Sequence, residues 1–438
     1  MTVSDTASAY EAHADIMINE ASDCVIGSNG IVSGSGTAGD PYIISGWEVS
    51  HLSISPGLYE SPPVPPIVIE NVDSDFISFT YYYGTVLESE VGSVHAMKGG
   101  ALVQDCTITG TVTGDQLAPI TVDDCTFNGI GMTETGVALV ADSDGVITDS
   151  SFTGLMYGIS RSATGSGDVT VSGCTFSDNA EGVHCGVLGP ATGTVDSCTF
   201  ENNGVGISLG EYCGQFTITG NEFVENGIGI QVAEEVDDCT IFHNNFIDNT
   251  QQTLGGDGNV WDDGYPSGGN FWSDHDNSDL FSGPGQDIPG PDGIADLPYQ
   301  LAGVSALDNY PLASQEAPLV VVGVDIRPGA PGNNINLKSR GQLQVAVLGD
   351  PALDVAWIDV ASLGIGGVTP VSNPRGIVCV ISDVNGDGIA DLTVHFRIPD
   401  LVGAGVLTSS TTSLELTGNL DQAHNLISII GTDSVKVK

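Results

Sequence analysis

Hydrophobic and polar residues alternate over short stretches along most of the chain, without the 3.6-residue period of an amphipathic helix. The clearest stretch is VDSCTFENNGVGI at residues 195–207, in which Val195, Phe200 and Ile207 are apolar. Nearly the same phrase, VSGCTFSDNAEGV, begins at Val171. Short alternating strands that are separated by Asn-Gly or Gly turns predict an all-β repeat protein.

The phrase recurs at a nearly constant interval, which is measured most easily from one small polar position. Successive copies are separated by 19, 25, 24, 24, 23 and 23 residues. The equivalent residues are Cys106, Cys125, Ser150, Cys174, Cys198, Asn221 and Asn244. A strand-like repeat of this length predicts a solenoid with one coil per repeat, namely a right-handed parallel β-helix.

These seven positions are predicted to form a structural ladder inside the solenoid. Equivalent residues of successive coils stack at the strand spacing of ~4.8 Å, so each small polar residue meets its own copy above and below. Cys, Ser and Asn have similar sizes, and Asn can hydrogen-bond along such a stack. The aromatic residues that follow the ladder are expected to fill the interior, and they are Phe127, Phe152, Phe176, Phe200, Phe223 and Phe246.

The chain has nine cysteines, an odd number, and no CxxC motif, which argues against a zinc site. Cysteines of adjacent coils, such as Cys106 and Cys125, would lie close enough for a disulfide, but stacking does not require one. We therefore expect most of the thiols to be buried and reduced. Cys185 and Cys213 are the expected exceptions because they lie in less regular sequence.

Composition narrows the function classes. The chain has 438 residues, enough for more than one core, and 56 acidic residues against nine basic ones, a formal net charge of −47. Such a surface repels nucleic acid and polyanions such as pectin, and it suits divalent cations or high salt. No apolar run is long enough to span a membrane, and the N-terminus lacks the pattern of a secretory leader.

Changes of pattern predict four regions. Residues 1–60 would form an N-terminal cap and first coil, and residues 61–254 the parallel β-helix. Residues 255–315 lose the period and combine Gly, Pro and Asp with aromatic residues, as expected of a loop-rich cap over the last coil. Residues 316–438 contain seven of the nine basic residues and are predicted to form a separate β-sandwich.

Several phrases resemble a known family of β-helix domains. The opening GIVSGSGTAGDPYIISGWEV and four later phrases, CTIFHNNFIDN, GNVWDDGYPSGGNFWSDH, PDGIADLPY and DNYPL, are similar to the NosD-like carbohydrate-binding and sugar-hydrolase domains of surface proteins. VDIRPG and DVNGDGIADLTVHFR resemble a C-terminal module of bacterial and archaeal surface proteins. The resemblance implies the β-helix fold, which hosts lyases, hydrolases, accessory proteins and scaffolds.

The NosD name also implies periplasmic copper handling. This chain, however, has no Met-rich or clustered His sequence. His184 and Cys185 are neighbours, and neighbours on a strand point to opposite faces. A solvent-facing histidine is therefore the expectation for His184.

Two Asp-rich loops are candidate calcium sites. In DVNGDGIADL, the residues Asp383, Asn385, Asp387, Ile389 (through its carbonyl) and Asp391 have the 1, 3, 5, 7, 9 spacing of a calcium loop. Val394 occupies position 12, where an EF-hand has Glu, so the predicted affinity for Ca²⁺ is that of extracellular modules, ~10⁻⁴ M. An uncoordinated hairpin turn is the alternative.

The second loop lies in GQDIPGPDGIADLPY. Its candidate ligands are Asp287, Asp292 and Asp296, and ordinary Asp-Gly turns explain the pattern equally well.

No convincing catalytic set is found. A polysaccharide lyase or hydrolase of this architecture would need a basic residue beside a cation or paired carboxylates with basic helpers. Before residue 320 the basic residues are Lys98 and Arg161, and they lie several coils apart. The adjacent acids Asp123 and Asp124 precede a ladder cysteine at a turn, where Asp is favoured for local hydrogen bonds.

We therefore predict a non-enzymatic, calcium-stabilised extracellular or cell-surface protein of an archaeon or bacterium. Its expected partners are a cell-surface polysaccharide or further copies of itself, in a homo-oligomer or filament, with no nucleic acid and no membrane span. The alternative is a carbohydrate-active enzyme, a polysaccharide lyase or hydrolase that uses one face of the β-helix.

Overall fold

The computed structural model describes residues 10–56, 63–161, 167–186, 192–211, 213–315, 319–330, 332–349, 353, 355–373, 376–420 and 428–438. The chain divides into two compact units, Met1–Glu316 and Ala317–Lys438. The first unit is a parallel β-helix and the second is a β-sandwich, so the predicted all-β fold class is confirmed. Among the described residues there is one α-helix, Ile398–Gly403.

In the first unit, most coils pass through two sheets. One sheet has 11 strands, and its spatial order follows the order of the chain. These strands are Ile31–Ser33, Tyr42–Ser45, Ile67–Glu70, Tyr83–Leu87, Gly100–Gln104, Ile120–Asp123, Gly145–Thr148, Val169–Ser172, Gly193–Asp196, Phe216–Thr219 and Thr240–Phe242. Pairing is parallel throughout except between its first two strands. We call it the short-strand sheet.

The other sheet of the first unit has 20 strands, and most coils contribute two of them. We call it the corner sheet because those two strands meet at a bend. Its strands are Glu11–Ala12, Ile16–Ile18, Trp47–Ile54, Asp73–Thr80, Glu90–Met97, Thr107–Ile108, Val112–Asp115, Thr126–Asn128, Thr135–Leu139, Ser151–Thr153, Tyr157–Arg161, Thr175–Ser177, Glu181–Cys185, Thr199–Glu201, Val205–Leu209, Glu222–Val224, Ile228–Val232, Asn245–Ile247, Gln251–Leu254 and Phe271–Trp272.

The register of the coils stacks equivalent residues directly over one another. Phe176, for example, is opposite Phe152 on one side and Phe200 on the other. Six phenylalanines form one interior stack with ring centroids 4.6–4.9 Å apart. The stacked rings are Phe127, Phe152, Phe176, Phe200, Phe223 and Phe246. Each ring therefore gains offset-stacking contacts in addition to burial.

The loop-rich region after residue 254 first extends this aromatic stack and then caps it. Phe271–Trp272 pairs in parallel with Asn245–Ile247, so the corner sheet extends beyond residue 254. The Trp272 ring lies 4.3 Å from Phe246, and Tyr299 stacks on Trp272 at 4.1 Å. Two hairpins complete the region, Phe281–Ser282 with Ile288–Pro289 and Tyr299–Gln300 with Leu307–Asp308.

Buried Asp308 fastens this cap. Its carboxylate accepts hydrogen bonds from the backbone N–H of Asn270 at 2.7 Å, from Trp272 Nε1 at 2.9 Å and from the N–H of Tyr310 at 3.1 Å. Burial nevertheless raises the pKa of Asp308 to about 7. The Trp272 ring of the stack and the loop over it are thus tied to one titratable group.

The second unit packs two four-stranded sheets around one core. One sheet contains Leu319–Val321, Ser428–Ser434, Ser413–Leu420 and Ile358–Gly364, and the other contains Gly323–Ile326, Gln342–Leu348, Asp391–Arg397 and Cys379–Ser382. Two small pairs, Asn334–Ile335 with Lys436–Val437 and Ser372–Asn373 with Gly376–Ile377, lie beside them. Side chains of both sheets share the core, as in a β-sandwich.

Candidate functional site

The predicted ladder lies inside the solenoid, and all seven of its residues are buried. In its first half, the backbone N–H of Cys106 points to the Cys125 sulfur at 3.4 Å, and the N–H of Cys125 donates to Ser150 Oγ at 3.0 Å. Each side chain therefore accepts the backbone N–H of the coil before it. The thiol contacts are longer than the hydroxyl contact because sulfur is larger and a weaker acceptor.

In its second half, the ladder changes from thiols to amides. Asn221 Oδ1 accepts the N–H of Cys198 at 2.9 Å, and Asn221 Nδ2 donates to Asn244 Oδ1 at 2.9 Å. Asn244 Nδ2 makes the same contact with Asn270, also at 2.9 Å, so the ladder has one further member. An amide both accepts and donates, and each Asn thus links its coil to the coils on both sides.

A second amide ladder lies at another turn of the same coils. The Nδ2 atoms of Asn179, Asn203 and Asn226 donate to the Oδ1 atom of the next asparagine at 2.9–3.0 Å, and the ladder ends at Asn249. All four side chains are buried. This ladder was not predicted, because the Asn-Gly pairs at Asn203 and Asn226 were treated as simple turns. Asn occurs three residues after Phe176, Phe200, Phe223 and Phe246, and this recurrence was the available signal.

The cysteines are mostly thiols. Cys185 and Cys213 form a disulfide across 28 residues, in agreement with the expectation that these two would be exceptions. The other seven are free, and six of those are buried. Cys185, however, lies at the end of the regular strand Glu181–Cys185 rather than in a loop. Burial raises the pKa of the Cys198 thiol, so it remains protonated.

The loop at residues 383–391 is ordered by its own carboxylates. Asp383 accepts the N–H groups of Gly386 at 2.6 Å and Gly388 at 3.0 Å, and Asp387 accepts the N–H of Ile389 at 2.8 Å. The hydrogen bond from Ile389 lowers the pKa of Asp387 and keeps it ionised. Asn385 donates from Nδ2 to Asp387 at 2.7 Å.

Asp391 has a different environment from the rest of that loop. Its side chain is fully buried, whereas Asp383 and Asp387 are exposed. Its two oxygens accept the backbone N–H groups of Gly349 at 3.0 Å and Val384 at 2.7 Å. Asp391 thereby fixes both ends of the loop to the sandwich.

The second Asp-rich loop keeps its acids apart. Asp292 accepts the N–H groups of Gly283 and Ile294 at 3.0 and 3.1 Å. Asp296 accepts the N–H of Phe281 at 2.9 Å, and Asp287 is exposed near Gly285. The carboxylates of Asp292 and Asp296 are thus oriented by different backbone N–H groups.

The two basic residues of the first unit have different surroundings. Lys98 is exposed, and its Nζ donates to the Tyr81 hydroxyl at 3.1 Å. Arg161 is buried, and its Nη1 donates to the carbonyl oxygens of Leu139 and Ala141. Burial lowers the pKa of Arg161, while Asp142, Asp144 and Asp168 raise it.

Among the outward-facing carboxylates of the solenoid whose pKa is shifted, Glu222 is the most buried. Burial raises its pKa, and a hydrogen bond with the Asn245 side chain offsets part of this increase. In the corner sheet it is opposite Thr199 on one side and Asn245 on the other. A carboxyl group with a raised pKa holds its proton more tightly than an ordinary glutamate does.

Residues 71–277 match the family model described as periplasmic copper-binding protein (NosD). This match confirms the resemblance found in the sequence for the solenoid. It is consistent with a β-helix protein that lies outside the cytoplasm.

The described residues do not fit a copper centre. Copper sites bring together imidazole, thiolate or thioether donors. His184 instead pairs with Glu181 at 2.7 Å and packs on the Tyr157 ring, and Cys185 is disulfide-bonded on the opposite face. In the part of the chain that the structure describes, no group of three or more His, Cys, Asp or Glu side chains is placed to hold a metal ion.

Two further findings complete the comparison. No curated protein matches the chain at a significant level. Within the described ranges, no helix is long and apolar enough to cross a membrane. Residues 71–277 of this chain therefore match the NosD family model and form a parallel β-helix.

Proposed function

We propose that this protein is a non-enzymatic extracellular or cell-surface scaffold that binds uncharged glycans along its solenoid. This proposal rests on the regular outer face of the short-strand sheet. Four threonines lie opposite one another on successive coils of this face, and they are Thr170, Thr194, Thr217 and Thr240.

Alternation along each strand directs these threonines outward. Val169 and Val171, on both sides of Thr170, are buried in the core. The hydroxyl groups therefore repeat at the strand spacing of ~4.8 Å on a rigid surface. A repeating chain of sugar units can contact several of them at once, so weak single contacts add up by multivalency.

A glycan array with the purified chain, combined with a reducing-sugar assay on the glycans that bind, tests this role. We expect binding to uncharged polysaccharides and no release of reducing ends. Failure to bind any glycan would contradict the proposal, and turnover would replace it with the enzymatic alternative.

That alternative, a carbohydrate-active enzyme, is favoured by one observation, the raised pKa of Glu222. If Glu222 were a general acid, the Glu222→Gln variant would lose turnover and keep its affinity. Glu201, an exposed carboxylate on the preceding coil, is the matched control. Equal sugar release by the wild type, Glu222→Gln and Glu201→Gln would exclude Glu222 from catalysis.

We further propose that the loop at residues 383–391 binds Ca²⁺ weakly and stabilises the second unit. The ordered carboxylates of Asp383 and Asp387 support this site. At 1 mM Ca²⁺ and a dissociation constant of ~10⁻⁴ M, binding would stabilise the unit by about 1.4 kcal/mol. Binding of the same ion by the second loop, with Asp287, Asp292 and Asp296, stays a prediction.

Calorimetry with and without excess EDTA tests the calcium site. Chelation should lower the melting temperature of the second unit and leave that of the first unit unchanged. Asp387→Asn should abolish the response, whereas Asp400→Asn, an exposed acid on the helix Ile398–Gly403, should keep it. An unchanged melting curve in EDTA would contradict the site.

Self-association is the last part of the proposal. The strand Cys379–Ser382 is an edge of its sheet, and Val380 and Ile381 are 54% and 52% exposed on it. An exposed apolar edge can pair with a second copy of the chain. Electron microscopy with and without Ca²⁺ should show filaments or oligomers for the wild type and fewer of them for Val380→Lys.

A further inference from the structure

A groove with a volume of about 470 Å³ opens on the surface of the solenoid, within the size range of small-molecule sites. It lies at the corner where the chain leaves the corner sheet, and we call it the turn groove. Its lining residues are Tyr81, Lys98, Gln116, Leu117, Ala141 and Asp142. Four successive coils therefore contribute to one site.

Five of these six residues have left-handed backbone conformations. Their φ angles are 55° for Tyr81, 56° for Lys98, 55° for Gln116, 67° for Leu117 and 55° for Ala141. Such angles are unfavourable for residues other than Gly, Asn and Asp. Turn chemistry alone would therefore not select a tyrosine, a lysine and a leucine here.

Another corner of the same coils shows the contrast. Directly after the strands of the short-strand sheet, all but three of the left-handed positions are Gly, Asn or Asp, among them Asp105, Asp124 and Asp149. The other three are Glu88, Ser197 and His243. Asp and Gly are the residues that such a turn favours. Side chains in unfavourable backbone conformations concentrate at functional sites, and five of them line the turn groove.

The groove combines apolar surface with a few directed polar groups. Leu117 is 69% exposed and Ala141 lies beside it, so they offer a small apolar platform. Lys98 Nζ lies 5.2 Å from the centre of the Tyr81 ring and donates to its hydroxyl. The amide of Gln116 is exposed at the same site.

The base of the groove is held by Arg161. Its guanidinium lies inside the coil and donates from Nη1 to the carbonyl oxygen of Ala141. Nε and Nη2 of Arg161 have no hydrogen-bond partner within the described residues. Arg161 is thus a positioning residue for the turn at Ala141, and the cation that reaches the groove is Lys98.

The negative charge of the first unit favours a neutral ligand over a polyanion. The first unit has 45 acidic residues and two basic ones, so a polyanion would be repelled on its approach. A neutral sugar is not repelled, and its apolar C–H face can pack on Leu117 and the Tyr81 ring. Its hydroxyl groups can accept hydrogen bonds from Lys98 and Gln116.

We propose that the turn groove is a binding site for an uncharged oligosaccharide. This inference rests on the proposed glycan-binding role and names its main contact site. The Thr face of the short-strand sheet would then add contacts for longer chains.

Three substitutions test the site without harming the fold. Leu117→Asn, Lys98→Asn and Tyr81→Asn each remove a groove contact and place a residue that tolerates left-handed φ. The matched control is Met132→Asn, since Met132 is exposed, has φ 57° and lies at the other end of the strand Thr135–Leu139. Melting temperatures should be equal to or above that of the wild type in all four variants.

Binding is measured by titration calorimetry with neutral glucose, mannose and N-acetylglucosamine oligomers and with an oligouronate. We expect the wild type and Met132→Asn to bind one neutral oligomer, and the groove variants to bind about tenfold more weakly. Preference for the oligouronate would overturn the ligand class. Equal affinity of wild type and groove variants would overturn the site while leaving glycan binding intact, and no binding by the wild type would overturn both.

Discussion

The two units of this protein build their interiors by different means. In the first unit, identical residues of successive coils stack on one another. The ring centroids of stacked phenylalanines lie 4.6–4.9 Å apart, and stacked asparagines hydrogen-bond to each other. In the second unit, unlike side chains such as Ile326, Phe396 and Leu416 come together from two sheets. The first interior is a repeated local contact, and the second is a single three-dimensional fit.

The surfaces differ as much as the interiors. The first unit has 45 acidic residues against two basic ones, and the second has 11 against seven. A stack of coils tolerates this charge because each coil is fixed by its neighbours through the interior. Substitution of one stacked residue should therefore destabilise the first unit alone, by an amount that depends on the residue it stacks against.

The largest expected effect is that of removing a ring from the aromatic stack. Phe200→Ala leaves a cavity between Phe176 and Phe223 and should destabilise the first unit by about 3–5 kcal/mol. Phe396→Ala should do the same to the second unit only. Thermal unfolding followed by calorimetry measures both, and a shift of both transitions by either variant would contradict separate interiors.

A pH effect should also be confined to the first unit. The folded pKa of Asp308 is about 7, above its ordinary value of 3.8, so the folded state holds the proton more tightly than the unfolded state. Its stabilising contribution is present below pH 4 and is lost as the pH rises to 7, by about 4 kcal/mol at most. Unfolding in urea between pH 4 and pH 8 measures this loss.

Asp308→Asn separates this titration from the repulsion among the other carboxylates. Asparagine can still accept the hydrogen bonds of Asn270 and Trp272 but does not ionise. The variant should lose less stability than the wild type between pH 4 and pH 7. Identical pH profiles would show that Asp308 is not the responsible group.

Removal of the disulfide should have a slightly smaller effect. The Cys185–Cys213 bond closes a loop of 28 residues and should stabilise the first unit by about 3–4 kcal/mol. The double variant Cys185→Ser and Cys213→Ser tests this by calorimetry. Cys379→Ser, which changes an exposed thiol of the second unit, is the control and should leave both transitions unchanged.

The smallest expected effect is the difference in lost stability between an amide and a thiol substitution in the ladders. Asn226→Ala leaves buried partners of Asn203 and Asn249 unsatisfied and should destabilise the first unit by about 1–3 kcal/mol. Cys198→Ala removes a thiol whose hydrogen bonds are weak and should cost about 1 kcal/mol. Equal losses measured in urea would mean that the amides contribute no more than the thiols.

Much of the solenoid was predictable because its signal is periodic. The interval between Cys174 and Cys198 is one coil, and neighbouring residues at the same interval, such as Phe176 and Phe200, stack on each other. The position of the phenylalanines after the ladder then follows without a structure. The disulfide partners were also identified, although Cys185 turned out to lie on a regular strand.

Other features depended on which way a turn directs its side chain. The asparagine of each Asn-Gly pair could face solvent or the core, and only the shape of the coil directs Asn203 and Asn226 inward. Arg161 is a similar case, because its register with Leu139 and Cys185 places it in a row of stacked, inward-facing residues that is otherwise apolar. The turn groove combines residues of four coils whose spacing in sequence varies with loop length.

The sequence alone determined that this chain is a stack of short parallel strands followed by a sandwich, because hydrophobic alternation and a constant repeat length are properties of the linear chain. Only the tertiary structure decided which polar side chains are buried, which acids converge and where a ligand-sized groove opens. Those properties depend on the direction of each side chain at a turn, and that direction is set by contacts between coils rather than within them.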